Sequence, residues 1–216
     1  METINIFIVD DHEIFRTGLK TQLNEIKNYK VTGEAANGKE FLSLLENKTP
    51  DIVFMDIKMP EINGIEATKI AVEKYPDIKI IALSMFGEAE YLQAMLDAGA
   101  KGFLLKNVSG EELAKAIETL SRGYNFFSKE MLTVLTDKFL NKEVTEQSVK
   151  EANLSGRELE VLQYICKGYT NVEIAKKMSI SQRTIDGHRA KIIKKTNTKN
   201  TVNLVVYAIK NKLVDI

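Results

Sequence analysis

The chain has 216 residues, of which 44% are hydrophobic, so it can bury the core of one large domain or of two small ones. Its formal net charge is zero, but residues 1–124 carry 14 basic and 20 acidic side chains, whereas residues 151–216 carry 12 basic and 6 acidic ones. An acidic N-terminal part and a basic C-terminal part indicate two domains with different partners. A single cysteine excludes an intramolecular disulfide, and no apolar run reaches the ~20 residues of a membrane span, so we expect a soluble cytoplasmic protein with no membrane partner.

Apolar runs alternate with segments of helical spacing through the first 122 residues. The runs predict strands at 4–9, 31–36, 52–55, 78–83 and 102–105, each followed by a predicted helix. Because the strands are almost continuously apolar, this alternation predicts an α/β domain. Its five-stranded parallel sheet would have helices on both faces.

Polar side chains follow four of these strands. The first strand leads into Asp10 and Asp11, the third into Asp56, the fourth into Ser84 and the fifth into Lys106. The carboxyl ends of parallel strands meet at one edge, where the functional crevice of such a sheet lies. Clustered carboxylates repel one another unless a cation intervenes, and Mg²⁺ takes carboxylate and phosphate oxygens. A carboxylate beside a metal ion and a lysine can accept a phosphoryl group. The alternative is a surface cluster in which the lysine only neutralises the acids.

These residues, with Asp56-Ile-Lys-Met-Pro60, Asn63-Gly64 and Lys101-Gly-Phe-Leu-Leu-Lys106, resemble the receiver domain of two-component response regulators. The resemblance covers about residues 1–122 and implies a flavodoxin-like fold with strand order 2-1-3-4-5. It also implies that Asp56 is the phosphoacceptor. Asn107 stands where many receivers have proline, so no cis-proline bond is expected there.

The same resemblance implies a metal site and a switch. Mg²⁺ (or Mn²⁺) would be bound by Asp11, Asp56 and the backbone carbonyl of Lys58, while Asp10 would act through the metal's water shell. Lys106 would contact the phosphoryl group. Ser84 and Phe103 match the hydroxyl and aromatic switch positions.

Residues 123–150 are predicted to form a linker. Gly123 to Phe127 indicate a turn with aromatic side chains, and Ser128 can cap a helix at about 128–140. The polar residues 141–153 indicate a tether between the two domains.

Residues 151–216 predict an all-α domain of four helices. Capping boxes begin the first two helices, at Ser155-Gly-Arg-Glu158 and Thr170-Asn-Val-Glu173. Ser181 caps a third, basic helix that runs to about Thr196, and a fourth covers about 201–210. A short helix, a tight turn and a longer basic helix indicate a helix-turn-helix.

The stretches Leu154-Ser-Gly-Arg-Glu158, Gly168-Tyr-Thr-Asn-Val-Glu-Ile-Ala175 and Ile180-Ser-Gln-Arg-Thr-Ile-Asp-Gly-His188 resemble the LuxR-type helix-turn-helix. Together with the receiver, they make the chain similar to the NarL/FixJ class of response regulators. The resemblance implies that residues 182–195 enter the major groove of double-stranded DNA, that the last helix helps form a homodimer, and that His188 is a packing residue.

The third helix has an inward face around Ile185 and an outward face of small residues flanked by basic ones, which suits approach to a groove. An ordinary amphipathic helix with a solvated basic face is the alternative. Asp186 stands where a basic DNA contact is common; phosphates would repel it, but it can accept a hydrogen bond from cytosine N4. The candidate DNA contacts are Gln182, Arg183, Thr184, Asp186, Gly187, Arg189, Ala190, Lys191 and Lys194.

The sequence therefore predicts a phosphorylation-dependent transcription regulator of a two-component system. A sensor histidine kinase would phosphorylate Asp56 and so switch dimerisation and DNA binding. We expect slow loss of the phosphoryl group and no multiple-turnover enzyme. One alternative is a Mg²⁺-dependent phosphohydrolase with a basic docking domain, although Lys58 occupies the position where its Asp-x-Asp motif needs an acid. The other is a receiver used only as a dimerisation scaffold.

Overall fold

The structure is a computed structural model that describes residues 3–85, 90–128, 154–198, 201–211 and 213–214. The chain divides into two compact units, Met1–Phe127 and Ser128–Ile216. Apart from Ser128, the predicted linker helix at about 128–140 lies outside the described residues, and so does the whole of the predicted tether at 141–153. Among the described residues, no helix has the length and apolar character that crossing a membrane requires.

The first unit is a parallel sheet of order β2-β1-β3-β4-β5-β6, so the predicted order 2-1-3-4-5 is confirmed and a sixth strand is added. A helix follows each of the first five strands. The strands are β1 (Ile4–Val9), β2 (Tyr29–Ala35), β3 (Ile52–Asp56), β4 (Lys79–Ser84), β5 (Gly102–Leu105) and β6 (Phe126–Phe127). The helices are α1 (Glu13–Glu25), α2 (Gly38–Asn47), α3 (Gly64–Lys74), α4 (Glu90–Asp97) and α5 (Gly110–Ser121).

The core explains why the strands are almost continuously apolar. Every residue of β3 is buried, as expected of a central strand that is covered on both faces. Leu19 and Leu23 of α1 and Leu113 and Ile117 of α5 belong to one buried cluster with alternate residues of the strands. The carboxyl ends of the strands are therefore positioned by a well-packed core.

The sixth strand corrects the prediction of a five-stranded sheet and of an aromatic turn at Gly123 to Phe127. Phe126 and Phe127 pair in parallel with Gly102 and Phe103 of β5, and both phenylalanines are buried. Two residues are too few for a period to appear in the sequence, so the run resembles a turn. Pairing covers the edge of β5 and removes two aromatic rings from water.

The second unit contains the four predicted helices: α6 (Gly156–Cys166), α7 (Asn171–Met178), α8 (Gln182–Thr196) and α9 (Thr201–Lys210). Both capping boxes are present, because the side chains of Ser155 and Thr170 accept the backbone N–H groups of Glu158 and Glu173, whose carboxylates accept in return. Ser179, in the left-handed region at φ 54°, ends α7 and makes the tight turn into α8. The core of this unit includes Val161, Leu162, Ile174, Ile185, Ile192 and Leu204.

Candidate functional site

The carboxyl ends of β1, β3 and β5 bring two aspartates and a lysine together. Lys106 Nζ lies 2.7 Å from Asp10 Oδ2 and 3.0 Å from Asp56 Oδ2. The exposed fraction of the lysine side chain is 8%, and those of the aspartates are 0% and 4%. A buried ammonium shared by two buried carboxylates leaves a net negative charge in a poorly solvated place.

This arrangement changes the acidity of its members. Burial raises the pKa of Asp56 to about 6, and the charge of Asp10 acts in the same direction, against the hydrogen bond from Lys106. Burial opposes the charge of Lys106, but its hydrogen bonds to Asp10 and Asp56 outweigh that effect and raise its pKa. The carboxylate of Asp56 is therefore incompletely compensated, and additional positive charge would stabilise it.

The acidic cluster fits a hard divalent cation. Ligand atoms of Asp10, Asp11, His12 and Asp56 all lie within 4.8 Å of one another. Three of the four are carboxylate oxygens, the ligand type that Mg²⁺ prefers. His12 is largely exposed and holds the acids in place: its backbone N–H donates to Asp10 Oδ1 at 2.9 Å, and its Nδ1 lies 2.9 Å from Asp11 Oδ1.

The loop that follows Asp56 folds back against it through Gly64. The N–H of Gly64 donates to the carbonyl of Ile57 at 2.9 Å, and a Cβ added at Gly64 would lie 1.9 Å from the carbonyl oxygen of Asp56. Only glycine fits so close an approach. Asn63 caps α3 by accepting the N–H of Glu66. The Asn63-Gly64 pair thus fixes the loop that carries Lys58, whose Nζ lies 4.9 Å from the centroid of the Tyr91 ring.

The two predicted switch residues lie on neighbouring strands beside the site. Ser84 is buried at the end of β4, and its Oγ donates to the carbonyl of Met85 at 3.0 Å. Phe103 is buried within β5, between Ala82 of β4 and Phe127 of β6 in the sheet register. Because a hydroxyl has one hydrogen, Ser84 can donate to a group on Asp56 only if it leaves the carbonyl of Met85.

The outward face of α8 carries most of the predicted DNA contacts. Ile185 and Ile192 are buried, as the helical wheel predicts. Gln182, Asp186 and Arg189 are half-buried. The six candidates that are exposed are Arg183, Thr184, Gly187, Ala190, Lys191 and Lys194.

Two of the predicted DNA contacts bond within the domain. Asn171 Nδ2 donates to Asp186 Oδ1 at 2.7 Å, and Arg189 donates both to Asn171 Oδ1 and to Thr201 Oγ1. Asn171 was not a candidate in the sequence. It stands inside a capping box, and its partners Asp186 and Arg189 lie 15 and 18 positions later in the chain.

A hydrogen-bonded ion pair joins α6 to α8. Glu158, a buried member of the first capping box, accepts a hydrogen bond from Lys195 Nζ at 2.7 Å. This bond and that from the backbone of Ser155 lower the pKa of Glu158 to about 2. The packing of α8 against α6 thus includes an ion pair between the buried Glu158 and the more exposed Lys195, in addition to apolar contacts.

Known proteins resemble the chain over both units. Residues 6–118 match the response regulator receiver domain, and residues 152–208 match the luxR family of bacterial regulatory proteins. The oxygen regulatory protein NreC of Staphylococcus carnosus (strain TM300) is 40% identical over 218 residues, which cover 98% of this chain and 100% of NreC.

Two solved structures extend this comparison. RcsB from Salmonella enterica serovar Typhimurium, bound to promoter rprA in the presence of phosphomimetic BeF3-, is 28% identical, with a TM-score of 0.56 over 95% of this chain and 98% of that one. A structure of two RcsB dimers bound to two parallel DNAs is 29% identical, with a TM-score of 0.59 over 95% of this chain and 98% of that one.

Proposed function

Because this chain belongs to the NarL/FixJ family of two-component response regulators, we propose that Asp56 accepts the phosphoryl group that controls its binding to DNA. The chain is a DNA-binding transcription regulator with a receiver domain and a luxR-type helix-turn-helix. The observation that carries the proposal is the position of Asp56 at the end of β3, within 3.0 Å of Lys106 and beside two further carboxylates.

Phosphotransfer to Asp56 follows from this geometry. A carboxylate oxygen of Asp56 attacks the phosphorus of a phosphohistidine on the kinase; the P–N bond breaks as the P–O bond forms, and the released imidazole takes up a proton. Asp11, Asp56 and the carbonyl of Lys58 would hold Mg²⁺, with Asp10 acting through water. When bound, the ion offsets the charge on the oxygens of the transferred group.

Lys106 links the chemistry to the switch. Its ammonium bridges Asp10 and Asp56, so a phosphoryl group on Asp56 offers it new oxygens and weakens the existing pairs. Ser84 then turns from the carbonyl of Met85 toward the phosphoryl group, and Phe103 repacks on the neighbouring strand. This favours a form that dimerises on DNA. Slow hydrolysis of the acyl phosphate resets the switch, without multiple turnover.

A groove beside the site is a candidate docking surface for the kinase. The groove of about 620 Å³ is lined by residues of α1 together with Lys106 and Val108. Ile14, at the start of α1, is 92% exposed, a high value for so large an apolar side chain. We propose that a sensor histidine kinase covers Ile14 and so places its phosphohistidine next to Lys106.

DNA binding is assigned to the exposed side of α8. Arg183, Lys191 and Lys194 are exposed there and can reach phosphates. The similarity to RcsB structures with DNA supports this assignment, and the structure of RcsB dimers on DNA supports a homodimer. DNA as the partner supports action in the cytoplasm.

The acceptor is tested by incubating the full chain with Mg²⁺ and acetyl phosphate and measuring incorporated phosphate by intact mass. We expect incorporation in the unaltered chain and none in Asp56→Asn. Asp77→Asn, at an exposed carboxylate of the same domain, serves as the matched control and should incorporate normally. Equal incorporation in Asp56→Asn would overturn the assignment, and multiple-turnover hydrolysis of an added phosphomonoester would favour the phosphohydrolase.

A further inference from the structure

A chain of hydrogen bonds crosses the helix-turn-helix from α7 to α9. Asn171, the first residue of α7, is 3% exposed and uses both ends of its amide on α8. Its Nδ2 donates to Asp186 Oδ1 at 2.7 Å, and its Oδ1 accepts from Arg189. Arg189 also donates to Thr201, the first residue of α9. One buried amide therefore connects two charged side chains of α8.

These bonds fix the rotation of α8 about its own axis. Asp186 and Arg189 are three residues apart and so lie on one side of the helix. Since both are bound to Asn171, that side is turned toward α7. One oxygen of Asp186 and two nitrogens of Arg189 are thereby directed into the domain.

A different stripe is left for DNA. Arg183, Gly187, Ala190 and Lys194 follow one another at spacings of four, three and four, and all are exposed. At Gly187 an added Cβ would meet nothing within 4 Å, so packing inside the domain does not require a glycine there. Glycine in a helix interior is unfavourable, and close approach of another molecule is a reason to keep it.

We propose that Asn171 is a positioning residue for α8: by holding Asp186 and Arg189 it presents the Arg183–Lys194 stripe to the major groove. Base readout then falls to the stripe, and neither Asp186 nor Arg189 contacts DNA. This inference rests on DNA binding through α8. It replaces the expectations that Asp186 accepts a hydrogen bond from cytosine N4 and that Arg189 contacts DNA.

An exchange of side chains tests the role of Asn171. Asn171→Asp alone sets two carboxylates against each other, and we expect affinity for DNA to fall on the order of tenfold. Adding Asp186→Asn restores an amide–carboxylate pair, with the carboxylate now at position 171 and the amide at position 186. The double variant should regain affinity to within about threefold of the unaltered chain, because contacting residues couple in this way. The probe is a labelled duplex recovered from a randomised pool by the unaltered full chain.

The salt dependence of binding tests Arg189 separately. Each phosphate contact contributes about 0.9 to the slope of log affinity against log salt concentration. Lys191→Gln, on the exposed face, should lose about that amount. Arg189→Gln should weaken binding with an unchanged slope, because its partners are Asn171 and Thr201.

Three results would overturn the inference. The first is a double variant that binds no better than Asn171→Asp alone. The second is a double variant that prefers a different base at a single position of the recovered site. The third is a salt slope for Arg189→Gln that falls as far as that for Lys191→Gln. Thermal unfolding of each variant shows whether the domain is still folded. Failure of the unaltered chain to bind any duplex would instead refute DNA binding itself.

Discussion

Replacing Gly187 by alanine should stabilise the protein and weaken its binding to DNA at the same time. Gly187 lies in the middle of α8, where glycine is about 0.8–1.0 kcal/mol less favourable than alanine. The added Cβ meets nothing within 4 Å, so no clash offsets that gain. We therefore expect the free energy of unfolding of the helix-turn-helix to rise by about 0.5–1 kcal/mol, and its Tm by several degrees.

The same methyl group would lie where the major groove of DNA approaches α8. Crowding a close contact with one methyl typically costs about 1–3 kcal/mol, which corresponds to a loss of affinity of roughly fivefold or more. Gly18→Ala is the matched control: Gly18 lies inside α1, and a Cβ there also meets nothing within 4 Å. It should stabilise the receiver and leave DNA affinity unchanged.

Urea unfolding and titration of a labelled duplex measure the two effects. A Gly187→Ala chain that is more stable and binds DNA as tightly as before would refute close approach at this position. A less stable chain would show that the added methyl group clashes or strains the helix at this position.

Three further predictions concern individual side chains. The lowered pKa of Glu158 means that its contribution to stability is complete above the ordinary value of 4.5 and is lost as the pH falls toward about 2. In urea unfolding, Glu158→Gln should remove about 1–2 kcal/mol at neutral pH and flatten that dependence, whereas Glu160→Gln, from an exposed pair with Arg157, should change neither. Ile14→Asp should slow phosphotransfer from a histidine kinase but leave labelling by acetyl phosphate intact, because only the kinase needs the groove; equal slowing of both reactions would contradict docking there. Lys191→Ala with Lys194→Ala should weaken binding to all duplexes and lower the salt slope by about 0.9 per phosphate contact, and an unchanged slope would count against such contacts.

The clustering of Asp10, Asp56 and Lys106 could be predicted from the sequence, because it depends on where strands end. Asp10, Asp56 and Lys106 each follow an apolar run, and parallel strands deliver such residues to one edge. The capping boxes of the second unit are equally local, since their partners are three residues apart. Such signals lie within a few residues of chain and need no knowledge of tertiary packing.

Features that depend on contacts between distant residues were missed. The strand at Phe126–Phe127 exists because β5 offers it an edge, which two residues alone do not reveal. Asp186 is among the DNA contacts predicted from the sequence, but an amide fifteen positions earlier in the chain binds it. The sequence marks Asn63-Gly64 as part of the receiver resemblance, and the nearness of Gly64 to the carbonyl of Asp56 becomes apparent only in three dimensions.

Control of DNA binding by a phosphoryl group on Asp56 can be measured as the affinity of the full chain for its recovered duplex, before and after treatment with acetyl phosphate and Mg²⁺. We predict that treatment tightens binding by the unaltered chain and leaves binding by Asp56→Asn unchanged. The same gain in Asp56→Asn, or no gain in an unaltered chain that has been phosphorylated, would contradict such control.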